Sequence, residues 1–276
     1  MKMLNKVPAV TLIFWIIKIM ATTVGETAAD FLAFNLKLGL SNTSLLMAGL
    51  LVVALLLQLR AHRYVPALYW TVVVFVSIVG TLISDNLVDN FGVSLVTTTI
   101  LFAAALVLVF ALWYASEKTL SVHSIETTRR ELFYWAAILC TFALGTSAGD
   151  LIGESMGLGY VKSALLFGGL IAVTFLAYRY LQLNAVLAFW AAYILTRPLG
   201  ASLGDWLTQA PKDGGLGIST TIISAIFLVT IVGLVFYLSR QQKEEDLVAI
   251  PQGDFNFDHE NFQATSLANR NEKPQE

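Results

Sequence analysis

FWIIKIMATTVGETAAD at residues 14–30, YWTVVVFVSIVGTLISD at 69–85, YWAAILCTFALGTSAGD at 134–150 and FWAAYILTRPLGASLGD at 189–205 are four versions of one segment. An aromatic-Trp pair opens each: Phe14-Trp15, Tyr69-Trp70, Tyr134-Trp135 and Phe189-Trp190. Ten residues beyond each Trp stands a Gly (Gly25, Gly80, Gly145, Gly200), and five further an Asp (Asp30, Asp85, Asp150, Asp205). The template [FY]-W-x9-G-x4-D recurs without a gap, so the chain is built from internal repeats. Copies one and two are offset by 55 residues, as are copies three and four, whereas the middle offset is 65 because a polar stretch around residues 121–130 joins the halves. This spacing points to duplication of a tandem pair.

The segments lie in an unusually apolar chain. Of its 276 residues, 57% are hydrophobic and only 13% charged, which excludes an ordinary cytosolic enzyme. Apolar runs near 9–34, 43–59, 66–88, 95–115, 132–153, 162–181, 185–207 and 218–239 are long enough to cross about 30 Å of hydrocarbon. The fold class expected is therefore all-α, a polytopic transmembrane bundle of about eight spans. The first run resembles a signal peptide in its basic flank but is too long and lacks a small-residue cleavage site, so it is expected to stay attached. Each copy (about 9–60, 65–117, 130–182 and 185–240) holds two spans, and an even number of crossings returns the chain to its starting side. All four copies then run in the same sense, which predicts pseudo-rotational symmetry about an axis along the membrane normal.

Basic residues set the expected orientation. Lys2, Lys6, Arg60, Arg63, Lys118, Arg129, Arg130, Arg179, Arg240 and Lys243 flank one side, against Lys37, Lys162 and Lys212 on the other, placing both termini in the cytoplasm. Residues 241–276 turn polar and charged and are expected to form a disordered cytoplasmic tail. Cys140 alone supports no disulfide or thiolate cluster, and His62, His123 and His259 fall in polar connecting or terminal stretches, so no histidine metal cage is available.

Positions four apart share a helix face, so the residues at Trp+7, +11, +15 and +19 form a stripe. The four stripes are Thr22, Glu26, Asp30, Phe34; Ser77, Thr81, Asp85, Asp89; Phe142, Thr146, Asp150, Glu154; and Arg197, Ala201, Asp205, Gln209. They carry seven carboxylates, with Arg197 and, one turn before Thr22, Lys18 as the cations inside spans. An ionisable group in mid-bilayer costs about 2.5–3.5 kcal/mol on insertion scales, so these residues are expected to face a polar interior vestibule. A solvated ring at the outer boundary competes with that placement, because Asp30 stands about 33 Å along a straight helix from the first flank. Lys18 and Arg197 are expected to pair with stripe acids or to act as a built-in counter-ion.

A second stripe, Gly25/Ala29, Gly80/Ser84, Gly145/Gly149 and Gly200/Gly204, is small-xxx-small in every copy and predicts close helix packing. Pro198 favours a local helix break in copy four; the other copies are expected to continue unbroken. The four Trp residues are expected to anchor the helices at the membrane interface, and Thr43/Ser44, Thr98/Thr99, Ser163 and Ser219/Thr220 to cap the second helices.

HExxH, GxSxG and P-loop patterns are missing and Cys140 has no histidine beside it, so the chain is not expected to be an enzyme or to need a cofactor. The fourfold pattern, above all residues 23–30 and 196–205, resembles a bacterial family of uncharacterised membrane-anchored proteins built from a repeat of unknown function. The resemblance covers roughly residues 9–240 and implies a bacterial inner-membrane location without an activity. From the residues themselves, the expected function is a transporter or permeation pathway for a cation, with membrane lipid and a small cation or cationic metabolite as partners and no nucleic acid. Oxygen ligands without Cys or His suit hard cations such as Mg²⁺, Mn²⁺ or Ca²⁺. Asp30, Asp85, Asp150 and Asp205 would form the principal ring and Glu26, Asp89 and Glu154 additional ligands or proton carriers. A transporter of an organic cation and a non-transporting membrane scaffold are the alternatives.

Overall fold

Eight α-helices form among the described residues of a computed structural model: α1 (Leu12–Asp30), α2 (Leu40–Arg60), α3 (Pro66–Asp85), α4 (Leu95–Glu117), α5 (Thr128–Asp150), α6 (Tyr160–Tyr180), α7 (Ala185–Thr208) and α8 (Thr220–Val248). The structure describes residues 5–248, with side chains through 244. The chain divides into a unit of residues 1–237 and a second of 238–276. The first carries the bundle. In the second, the chain is helical as far as Val248, so the stretch expected to be disordered from residue 241 begins as helix; the rest of it, with His259, lies outside the described residues.

All eight helices, with the turns that extend α1, α3 and α5, are long and apolar enough to cross a membrane. The first helices of the copies form a closed inner ring, α1 against α3, α3 against α5, α5 against α7 and α7 against α1. The second helices pack outside, each on the first helix of the following copy: α2 on α3, α4 on α5 and α6 on α7. The circle closes where Ser224 of α8 donates to Thr27 Oγ1 of α1 at 2.7 Å. Composition explains the two layers. The outer helix α4 is apolar all round and buries only Thr98, Leu106 and Trp113, leaving the rest for hydrocarbon, whereas α3 buries most of its length.

Glycine sets the inner spacing. A methyl group added to Gly25 would stand 2.6 Å from Ser77 Cβ, to Gly80 2.6 Å from Phe142 Cβ, to Gly145 2.5 Å from Arg197 Cβ, and to Gly200 2.6 Å from Thr22 Cβ. One rule covers all four contacts: the Trp+7 side chain of each copy seats on the Trp+10 glycine of the copy before it. Backbones therefore approach as closely as small-residue packing allows, around the whole circle.

Beyond Asp30, Asp85 and Asp150 the helices widen into π turns, Phe31–Asn35, Asn86–Asn90 and Leu151–Ser155. Each is closed by a bond five residues back from the N–H at Trp+21: Leu36 to Phe31 O (2.9 Å), Phe91 to Asn86 O (3.0 Å) and Met156 to Leu151 O (2.9 Å). Copy four has Pro211 there, which has no N–H, and its chain forms a 3-10 turn at Pro211–Asp213 instead.

Four expectations are corrected. The small-xxx-small stripe predicts close approach at both of its positions, but only at the first glycine of each copy would an added methyl collide. A methyl on Gly204 would stand 3.5 Å from Glu26 Cβ and from Thr23 Cγ2 and 3.7 Å from Thr27 Cγ2, and one on Gly149 3.6 Å from Pro198 Cα, all ordinary contact distances. Gly204 of α7 and Gly149 of α5 therefore border their neighbours without needing to be glycine, because the atoms they meet stand about 1–2 Å farther away than those at Gly145 and Gly200. Helix α7 runs unbroken through Pro198, which is packed against Gly145 and Gly149 of α5, so tertiary contact holds the helix past its missing donor. Trp70, Trp135 and Trp190 are buried inside the bundle and only Trp15 is half-exposed, so most of these rings pack between helices instead of anchoring them at the interface. Finally, Gly39 and Gly159 precede α2 and α6 and Ser94 caps α4, while Thr43, Thr98 and Ser163 sit one turn inside their helices, fully buried; only in copy four does an expected residue, Ser219, stand immediately before its helix.

Candidate functional site

The inner ring brings the four stripes onto one axis, and its layers can be taken in order of distance from each Trp. At the end where the repeats begin, Phe14, Tyr69, Tyr134 and Phe189 close the bundle. The Tyr69 and Tyr134 hydroxyls lie 2.5 Å apart, and the Phe14 and Phe189 rings 6.1 Å. Next come Lys18, Val73, Ile138 and Tyr193, all buried. The Lys18 ammonium sits 4.1 Å from the Phe142 ring centre and 4.2 Å from that of Tyr193. It finds no hydrogen-bond acceptor and no ion pair among the described residues, so the expected pairing with a stripe acid gives way to two aromatic faces.

The next two layers lock together around Arg197, which is entirely buried. Its guanidinium donates to Glu26 Oε2 at 2.9 Å, to the Thr22 carbonyl at 2.8 Å, to Thr146 Oγ1 at 2.6 Å and to Thr81 Oγ1. Glu26, Thr81 and Thr146 are the Trp+11 residues of copies one to three, and copy four has Ala201 there, without a polar atom. Arg197 thus reaches from its own copy into acceptors supplied by the other three. Thr81 donates weakly to Glu26 at 3.4 Å and lies 3.5 Å from Thr146 Oγ1, which joins the acceptors in one network. Gly204 has its place in this layer too, as the neighbour on α7 that the Glu26 stem lies against.

Exposure rises beyond this lock. Glu26 and Asp205 are each 7% exposed, Asp30, Asp85 and Asp150 are half-buried, and Asp89 and Glu154 are exposed. Glu26 is within Coulombic reach of all four ring aspartates, and Asp85 and Asp150 are within reach of Arg197 as well. The result is a set of carboxylates whose exposure increases away from a buried Arg197–Glu26 ion pair. Among the described residues, no group of three His, Cys, Asp or Glu side chains gathers closely enough to hold a metal ion. The arrangement therefore offers no ready metal cage at Glu26, Asp30, Asp85, Asp89, Asp150, Glu154 and Asp205.

Two features escaped the sequence reading. Thr81 and Thr146 were visible in the polar stripe, and their equivalence to Glu26 was the available signal for a shared role. Lys6 was read only as a basic flank, yet it is buried, bonding Glu131 Oε2 at 2.6 Å and the Leu59 carbonyl at 3.0 Å, while Gln58 donates to Glu131 Oε1 at 3.0 Å. No motif signals that link, which joins the N-terminal segment to α2 and α5. Apart from the axis, a cavity of about 500 Å³ near the aromatic end is lined by Trp15, His123, Phe175, Tyr178 and Phe189 among others and contains no carboxylate.

A family model described as Repeat of Unknown Function (DUF347) matches residues 13–64, 68–119, 133–183 and 188–244, one match for each structural copy. No curated protein and no solved structure matches the chain.

Proposed function

Because the chain belongs to the family of the Repeat of Unknown Function, a membership that brings an architecture and no activity, we propose from its residues that it is a membrane transporter of cations. The observation that carries this reading is the repeated aspartate layer, which the inner helix ring places one turn beyond a buried Arg197–Glu26 ion pair. Carboxylates are costly to hold in a bundle unless a positive species shares the space. Arg197 neutralises Glu26 at the floor, and the remaining acids attract a cation from the open side. The aromatic layer behind Lys18 closes the opposite end, which suits a carrier whose two ends open in turn better than a continuous pore. The protein would work in a bacterial inner membrane with both termini cytoplasmic and the acidic mouth on the far side.

Residue types alone point to a divalent metal; because no group of three acids gathers closely enough to hold a metal among the described residues, we favour an organic cation, which needs a field of negative charge more than a tight coordination shell. The test is electrophysiology of reconstituted liposomes on a solid-supported membrane. Small organic cations are expected to evoke transport currents that vanish when Asp85→Asn and Asp150→Asn are combined. If neither organic nor metal cations evoke a current in the wild-type protein, or if the double variant carries it undiminished, the proposal fails.

A further inference from the structure

We infer that the transported cation carries a guanidinium group, and that Arg197 occupies its place in the resting protein as a tethered stand-in; the inference rests on the cation-transport reading above. The cradle is specific in shape. One nitrogen of the planar fork is taken by the Thr22 carbonyl and a second by the Glu26 carboxylate and the hydroxyls of Thr81 and Thr146. A compact ammonium has one nitrogen to offer, whereas a guanidinium presents one nitrogen to the Thr22 carbonyl and another, its two hydrogens shared, to the Glu26, Thr81 and Thr146 oxygens. The Phe142 ring, 5.6 Å from the guanidinium carbon, adds an aromatic face that also suits a delocalised cation.

The tether is the imperfect part of the fit. Arg197 Nε is fully buried and has no acceptor among the described residues, a defect that a free guanidinium need not share. Exchange needs somewhere for the displaced side chain to go. Asp85 and Asp150, half-buried, stand one helical turn beyond Thr81 and Thr146 and within Coulombic reach of Arg197, so a guest taking Glu26 can release Arg197 to the aspartate layer with every charge still compensated. Copy four's Ala201 leaves the fourth quadrant of the cradle without a competing polar group.

Chemical rescue tests the assignment. In detergent, Arg197→Ala is expected to melt below wild type and to recover with low millimolar guanidinium but not with urea, its neutral analogue, or with methylammonium. Adding Glu26→Gln to Arg197→Ala should abolish that recovery. In liposomes, wild-type protein should take up radiolabelled guanidinium, methylguanidine should compete, and Glu26→Gln should lower uptake at least about tenfold, the loss expected when one charge-assisted bond is removed. Should Arg197→Ala fail to fold, the wild-type uptake and competition experiment decides alone. Rescue by methylammonium equal to that by guanidinium, or cation currents from which guanidinium is excluded, overturns this inference and leaves the transport reading standing. No current with any cation overturns both.

Discussion

Replacing Gly80 by alanine tests the closed ring directly. The added methyl would stand 2.6 Å from Phe142 Cβ, 3.1 Å from the Ala143 nitrogen and 3.2 Å from the Phe142 carbonyl carbon. Carbon atoms pack best at about 3.5–4.0 Å, so α3 and α5 must part by roughly 1 Å, and none of the three obstacles is the free end of a flexible side chain. Each inner helix is held between two others, so parting one contact strains the next. Over-packing of this kind costs about 1–3 kcal/mol, and the helix propensity gained over glycine returns only about 0.8–1.0 kcal/mol. A net loss of up to about 2 kcal/mol is expected, about 1–3 kcal/mol below what the propensity gain alone would give. Gly149→Ala is the matched control: its methyl would meet Pro198 Cα at 3.6 Å and Ala201 Cβ at 3.7 Å, ordinary contact distances, so the propensity gain should dominate. Gly233→Ala, with nothing within 4 Å, controls for the substitution itself. Thermal melting of the four proteins in one detergent gives the comparison. A Gly80→Ala protein as stable as Gly149→Ala would refute this ring packing.

Three further outcomes are expected. Lys18→Met removes a buried ammonium that has no acceptor and keeps sulfur against the Phe142 and Tyr193 rings, so stability should rise by about 1 kcal/mol; a lower melting temperature would show that the cation–π contacts outweigh the missing bonds. Glu26→Gln strands the Arg197 charge in a dry site and should cost about 3–5 kcal/mol, while Glu26→Gln combined with Arg197→Met should recover most of the loss in a double-mutant cycle; additive effects would argue against the pairing. Trp113→Ala should cost about 3–5 kcal/mol because that ring is fully buried against Trp190 and Phe133. The same change at Tyr178, Trp113's counterpart in copy three, should cost far less, since Tyr178 is 46% exposed and borders a cavity; equal losses would mean that the cavity is closed in solution.

The outer logic of the molecule is written locally. Apolar runs of membrane length and a template repeated at Trp15, Trp70, Trp135 and Trp190 require eight helices in four parallel copies, because hydropathy and periodicity are properties of neighbouring residues. The absence of a π turn in copy four is legible in the same way once the closing N–H is known, since Pro211 stands where Leu36, Phe91 and Met156 donate. Pro198 shows the limit of such reasoning: its missing donor argues for a break, and packing against Gly145 and Gly149 keeps the helix whole.

What lies between copies was decided only in three dimensions. The stripe identified Glu26, Thr81, Thr146 and Arg197 as inward-facing, but their meeting depends on the cyclic order of α1, α3, α5 and α7 and on which neighbour each Trp+7 side chain leans toward. Gly200 and Gly204 read alike as one small-residue pair, yet only Gly200 lies so close to α1 that a methyl would collide. Lys18 and Arg197 looked alike as buried cations; a shift of one helical turn gives Arg197 four oxygen partners and leaves Lys18 between aromatic rings. Periodicity along one helix states which side chains face the axis, whereas the partner each meets there is set by the rotation and spacing of other helices, and glycine contacts far apart in the chain determine both.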